Sequence, residues 1–129
     1  MNQKQDRYRM QLEEKAEDLR QSLRRVAPIA LERVPDSLDE TTFAAAREAA
    51  ALELERIYRL LHHVETALAR LNAGKYGSCL KCEEEIAEKR LNAIPWAIYC
   101  IGCQEAVDRL HQLINARSGS GLRDSAAAA

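Results

Sequence analysis

An apolar seam between residues 54 and 71 is the feature that most constrains the fold. Apolar side chains recur there at spacings of three and four, at Leu54, Ile57, Leu61, Val64, Leu68 and Leu71. This period packs one helix along another and does not fit a strand, in which side chains alternate between two faces. A similar stripe lies upstream, at Leu12, Ala16, Leu19, Leu23, Val26 and Ala30. Together the two stripes predict an all-α protein built on two long helices packed side by side.

A short breaker-rich segment, Val34 to Glu40, separates the two stripes and predicts an antiparallel coiled-coil hairpin over residues 1–73. About 30 residues per arm give a length of about 45 Å. Pro28 predicts either a kink in the first helix or its end, because proline removes a backbone donor and clashes with the preceding turn. Gly74 supplies the left-handed residue that ends the second helix.

The rest of the chain divides into two parts. Residues 74–117 hold four cysteines and a predicted C-terminal helix from about Ile101 to Arg117. Residues 118–129, SGSGLRDSAAAA, have no periodic apolar pattern and predict a disordered tail.

Composition excludes several classes of protein. Aromatic residues make up 5% of the chain and charged residues 30%, which suits an extended helical protein better than one with a thick core. A formal net charge of −1 argues against bulk nucleic-acid binding. No apolar run is long enough to cross a membrane, and the polar N-terminus is unlike a secretory signal, so we expect a cytoplasmic protein.

The cysteines form two CxxC pairs, Cys79 with Cys82 and Cys100 with Cys103, separated by 17 residues. This spacing is typical of a four-cysteine zinc site. Four thiolates complete the tetrahedral coordination of zinc and leave no position open for water, so the predicted ion is structural and does not activate water. We expect a protein that is not an enzyme. Ile86, Leu91, Trp96 and Ile98 are expected to pack around it. With the ligand set complete, His111 is not a predicted ligand, and His62 and His63 are expected to face solvent.

Three other functions fit parts of this pattern. A redox switch or enzyme could use the CxxC pairs as dithiols, although no βαβ pattern accompanies them. A zinc ribbon could bind nucleic acid, but that requires a basic surface. From Tyr76 to the C-terminus the sequence has six basic and seven acidic residues, so the basic excess is missing. An adaptor could dock some other partner along its coiled coil.

The segment GKYGSCLKCEEEIAEKRLNAIPWAIYCIGC resembles the zinc finger of the DksA/TraR transcription factors. The resemblance rests on the Gly74-x-Tyr76-Gly77-x-Cys79 start, the two CxxC pairs, Ile86, the pair Lys89-Arg90 before Leu91, and Ala93-x-Pro95. It extends from about Leu12 to Leu113 and places Asp36, Asp39 and Thr41 at the DxxDxA motif of the family's coiled-coil tip, with threonine in place of the alanine.

The resemblance implies a regulator that binds RNA polymerase and does not recognise a DNA sequence. In this family the coiled coil enters the secondary channel of the polymerase, and the acidic tip changes the stability of promoter complexes. The resemblance also implies sites for the alarmone ppGpp, but three basic residues of those sites are replaced here by His63, Ile94 and Gln104. A polyanion needs cations at its phosphates, so we expect weak ppGpp synergy or none.

The acids near the turn also have a simple structural interpretation. Ser37 and Glu40 fit a capping box, and Asp39 would be favoured by the dipole of the helix that follows. Six acids against one base between Val34 and Glu55 nevertheless exceed what capping requires. Such an acidic end suits a basic channel or a bound magnesium ion.

Overall fold

The computed structural model describes residues 3–31 and 40–127, with side chains described over 3–31 and 42–117. It contains four helices: α1 (Gln3–Leu31), α2 (Glu40–Asn72), α3 (Glu88–Ala93) and α4 (Ile101–Ala127). Between the helices, an antiparallel bridge pairs Ser78 with Glu85. The predicted all-α class is confirmed.

The rod formed by α1 and α2 is the antiparallel hairpin that the two apolar stripes predict. Leu12 of α1 and Ile57 and Val64 of α2 are completely buried in one core that runs along the rod. Arg20 of α1 pairs with Glu65 of α2 across the outside of this core, at 3.6 Å. At about 1.5 Å per residue, the 29 residues of α1 and the 33 of α2 give arms of about 44 and 50 Å.

Pro28 does not end the first helix, since α1 continues around it to Leu31. The end of α2 follows the sequence closely. Gly74 adopts a φ of +75°, while its amide bonds to the carbonyl of Leu71 at 3.2 Å and the amide of Lys75 bonds to that of Arg70 at 2.8 Å. These two bonds form a Schellman motif, which satisfies the last carbonyls of the helix and turns the chain into the finger.

The finger (residues 75–100) packs at the base of the rod, next to the start of α1 and the end of α2. Its own core contains Cys79, Ile86 and Leu91, the last presented by α3. Ile86 and Leu91 therefore pack as predicted, but Ile98 and Trp96 pack against the rod core. The prediction was wrong for these two because the sequence does not show how closely the finger approaches the rod.

The C-terminal helix α4 begins at Ile101, as predicted, and its backbone stays helical to Ala127, ten residues beyond Arg117. In the described part of the chain, α1 and α2 are the only pair of helices whose Cα atoms approach within 8 Å. The first turns of α4 face α2 across a small groove, although their Cα atoms do not come within 8 Å of each other. Residues 118–127 have no apolar stripe, which made them resemble a tail in the sequence. Among the residues described, no helix is long and apolar enough to span a membrane.

Candidate metal centre

Four sulfur atoms meet where the finger joins α4. Cys79 and Cys82 lie on the turn after the bridge residue Ser78, while Cys100 precedes the first residue of α4 and Cys103 lies in its first turn. The Sγ atoms of all four lie within 4.8 Å of one another. Those of Cys82 and Cys100 are 3.7 Å apart, close to the edge of about 3.8 Å that a tetrahedron with Zn–S bonds of about 2.3 Å requires.

Each CxxC turn directs a backbone amide at its first sulfur. The amide of Cys82 donates to Sγ of Cys79, and the amide of Cys103 donates to Sγ of Cys100, both at 3.5 Å. Cys100 and Cys103 also lie at the N-terminal, positive end of the α4 dipole, which stabilises a negatively charged ligand set. The backbone thus prepares this cluster to hold negatively charged sulfur.

The pKa values of Cys79 and Cys103 are shifted in opposite directions. Burial by itself raises the pKa of Cys79, but backbone hydrogen bonds from Cys82, Cys100 and Lys81 outweigh it and lower the pKa to about 6. Hydrogen bonding to Cys100, together with desolvation, raises the pKa of Cys103 to about 12. The negative charge of one thiolate therefore disfavours ionisation of a neighbouring thiol unless a cation neutralises it. A zinc ion supplies that cation in a four-cysteine site.

An arginine side chain binds the backbone just before each CxxC pair. Arg70, in the last turn of α2, donates to the carbonyl of Ser78 at 2.9 Å, one residue before Cys79. Arg90 of α3 donates to the carbonyl of Tyr99 at 3.2 Å, one residue before Cys100. Arg90 is half of the basic pair in the finger motif, and this contact gives it a structural role. The donor set, its spacing and its support all fit one structural zinc ion.

The other predicted site residues are described only in part, and only some of them lie together. Asp36 and Asp39 lie outside the described residues, and Thr41 lies in the first turn of α2 with its side chain outside the description. His63 and Gln104 line one groove of about 340 Å³ between α2 and α4, whereas Ile94 packs against the finger core instead. Of the three positions where the family has basic residues, the structure therefore brings two together.

This small groove has a mixed charge. Arg56 and Arg59 line it with His63, and Asp108 lines it from α4, where it accepts a hydrogen bond from Gln104 at 2.9 Å. His62 is exposed as predicted, but His63 is half-buried. Desolvation, reinforced by His62, Arg59 and His111, lowers the pKa of His63 despite the opposing charge of Asp108. His63 is therefore neutral at pH 7.

Sequence reasoning missed two residues that join the finger to the rod. Tyr8 of α1 is buried in the finger core, and its hydroxyl donates to Oδ1 of Asn92 at 2.6 Å. A signal for Tyr8 was present, since it lies four residues before Leu12 and extends the apolar stripe of α1 by one turn. Asn92 follows Leu91 and gives no comparable signal.

A four-cysteine zinc finger at the base of an antiparallel helical rod is the class of protein that this fold and site define. Residues 74–109 match the family model described as the prokaryotic dksA/traR C4-type zinc finger. Transcription factor DksA2 from Pseudomonas aeruginosa has a similar structure, with a TM-score of 0.67 and 30% identity over 84% of this chain and 85% of that one. The DnaK suppressor protein from Agrobacterium tumefaciens C58 aligns with a TM-score of 0.56 and 28% identity, over 78% of this chain and 91% of that one.

Sequence comparison finds further relatives, some of them also named DksA. The RNA polymerase-binding transcription factor DksA of Haemophilus influenzae is 37% identical over 73 residues, which is 54% of this chain and 48% of that protein. An uncharacterised protein of Aquifex aeolicus is 49% identical over 49 residues, or 38% of this chain and 34% of that one. The matched regions span about a third to a half of the curated relatives. The chain belongs to the DksA/TraR family.

Proposed function

We propose that this protein is a transcription regulator that binds RNA polymerase through its secondary channel and modulates initiation with the tip of its rod. The observation that carries the proposal is a long, narrow rod with a zinc finger packed at one end. Two helices of about 10–12 Å diameter side by side form a probe about 20 Å wide, which suits insertion into a channel. The printed name of the Haemophilus influenzae relative, an RNA polymerase-binding transcription factor, supports the choice of partner.

The acidic end of the rod is the proposed effector. α1 ends at Leu31 and α2 begins at Glu40, both at the end of the rod away from the finger. Between Val34 and Glu55 the sequence has six acids and one base. Carboxylates at a narrow end can approach basic side chains or a magnesium ion inside the polymerase, and they would repel nucleic-acid phosphates. We assign the effector role to Asp36 and Asp39, with Thr41 beside them in the motif.

The finger and α4 act as the anchor in this proposal, and the zinc ion holds the anchor together without taking part in chemistry. The alarmone ppGpp contributes little, since His63, Ile94 and Gln104 stand where the family has basic residues. His63 is neutral at pH 7 because desolvation lowers its pKa. It therefore does not replace the missing cation.

Replacing Asp39 with asparagine tests the effector role. Asp39→Asn removes the charge and keeps the size, so we expect its effect on transcription in vitro to disappear while its affinity for RNA polymerase stays within about twofold of the unmodified chain. The matched control is Glu48→Gln, at an exposed acid further along α2, which should retain the effect. If Asp39→Asn still alters initiation as the unmodified chain does, the tip is not the effector.

A further inference from the structure

Tyr8 belongs to α1 by sequence but to the finger by packing. Only 3% of its surface is exposed, and its neighbours in the finger core include Cys79 and Leu91. Its ring lies 5.1 Å from that of Tyr76, centroid to centroid, at an interplanar angle of 44°. An aromatic residue of the rod therefore completes the core that surrounds the zinc ligands.

Residues of the finger, in turn, pack in the core of the rod. Ile98 is buried in the rod core, and Trp96 packs against it while Lys15 of α1 lies 5.1 Å from the centre of the indole ring. Tyr76 contacts both cores, and its hydroxyl donates to the carbonyl of Pro95 at 2.7 Å. The two cores thus interlock at a joint, which we define as Tyr8, Tyr76, Asn92 and Trp96.

The Tyr8 ring contributes more to the joint than the polar contacts beside it. Lys4 also forms an ion pair with Glu88 of α3, but both side chains are exposed, and exposed pairs contribute little. A buried aromatic ring removes far more apolar area from water and packs in few orientations. The Asn92 side chain that accepts the Tyr8 hydroxyl is exposed, so water can replace that bond.

We propose that Tyr8 is a positioning residue, whose ring fixes the angle between the zinc finger and the rod. The proposal rests on the proposed function, in which a finger that anchors the protein must hold the distant tip in one place. A small rotation at the joint is multiplied along the rod. About 23 residues of α1 separate Tyr8 from Leu31, a lever of about 35 Å, so a 10° rotation would displace the far end by about 6 Å.

Residual dipolar couplings measured by NMR on the full zinc-loaded chain test this inference without any polymerase. In the unmodified protein, the amides of α2 and those of the finger should fit one alignment tensor. In Tyr8→Ala we expect two tensors of different magnitude, with one zinc ion per chain retained. Tyr8→Phe keeps the ring and loses only the hydroxyl, so it should restore a single tensor.

A destabilised control separates positioning from general stability. Val64 is completely buried in the middle of the rod and away from the joint, so Val64→Ala should lower stability but keep one tensor. If Tyr8→Ala gives no folded spectrum, Tyr8→Leu takes its place with the same expectation. One shared tensor in the Tyr8 variant, oriented as in the unmodified chain, would overturn the inference. The proposed function would be unaffected by that result, because polymerase is absent from the experiment.

The interlocked cores also predict that the zinc-loaded finger stabilises the start of α1. Removal of zinc with a chelator should speed hydrogen exchange at the amides of residues 8–12, the turn of α1 that begins with Tyr8 of the finger core. Exchange in the middle of α2, between residues 57 and 68, should stay unchanged. Equal protection of residues 8–12 with and without zinc would contradict the inference.

Discussion

Replacing Leu12 with alanine tests the packing of the rod at one of its completely buried positions. Leu12 is completely buried at the start of the rod core, whereas Met10, two residues earlier on the same helix, is 66% exposed. A buried leucine truncated to alanine costs about 2–5 kcal/mol, including the cavity it leaves. The core of a two-helix rod is thin and can partly collapse, so we expect a loss of about 3 kcal/mol.

Urea unfolding of the zinc-loaded chain, followed by circular dichroism at 222 nm, measures this loss. With a slope of about 1.5 kcal/mol per molar urea, the midpoint of Leu12→Ala should fall by about 2 M. Met10→Ala removes a side chain of similar size from an exposed position and should change the free energy of unfolding by less than about 0.5 kcal/mol. The limit of about 0.5 kcal/mol for Met10→Ala corresponds to a midpoint shift of about 0.3 M. If the midpoints of Leu12→Ala and Met10→Ala differ by less than about 0.3 M, the assignment of Leu12 to the core is refuted.

Three further predictions concern the finger and the small groove. First, the native protein should contain one zinc ion and no thiol that reacts with a chromogenic reagent, and a strong chelator should release the ion and expose four thiols; reactive thiols before chelation would exclude a four-cysteine site. Second, Glu83 has a φ of +64°, which costs a residue with a side chain about 1–2 kcal/mol, so Glu83→Gly should raise the free energy of unfolding by about 0.5–1 kcal/mol, whereas Glu84→Gly should not. Third, the lowered pKa of His63 means that the unfolded chain binds the proton more tightly, so part of the stability should disappear as the pH falls below about 6.5 and level off below the folded-state pKa. The free energy of unfolding of the unmodified chain and of His63→Gln is measured over this pH range. His63→Gln should lose the decrease in stability that His63 causes at low pH, and an unchanged pH dependence would contradict the prediction.

The rod and the zinc ligands could be predicted from the sequence because each leaves a regular pattern. The seam from Leu54 to Leu71 fixes the period of the helix and its buried face, and Gly74 marks its end. The spacing of the four cysteines requires only that two turns meet around one ion. Both patterns are local, and both are confirmed in the fold.

The joint could not be predicted because it depends on contacts between distant parts of the chain. Tyr8 and Asn92 are 84 positions apart, and no pattern of spacing connects them. Ile98 is apolar and close to a zinc ligand, which suggested the finger core, yet it packs into the rod core. The helical backbone of residues 118–127 was missed because these residues have no apolar stripe from which a helix could be predicted. The effector role of Asp36 and Asp39 stays a prediction, because both residues lie outside the described part of the chain.

The central claim, that this chain acts from within the secondary channel of RNA polymerase, is tested most directly by competition binding. Purified core polymerase is incubated with the zinc-loaded chain and increasing amounts of another factor that occupies the secondary channel. We predict that the chain binds polymerase with one site per enzyme and is displaced in proportion to the occupancy of the competitor. Binding that persists at saturating competitor, or no binding to polymerase at all, would contradict this account.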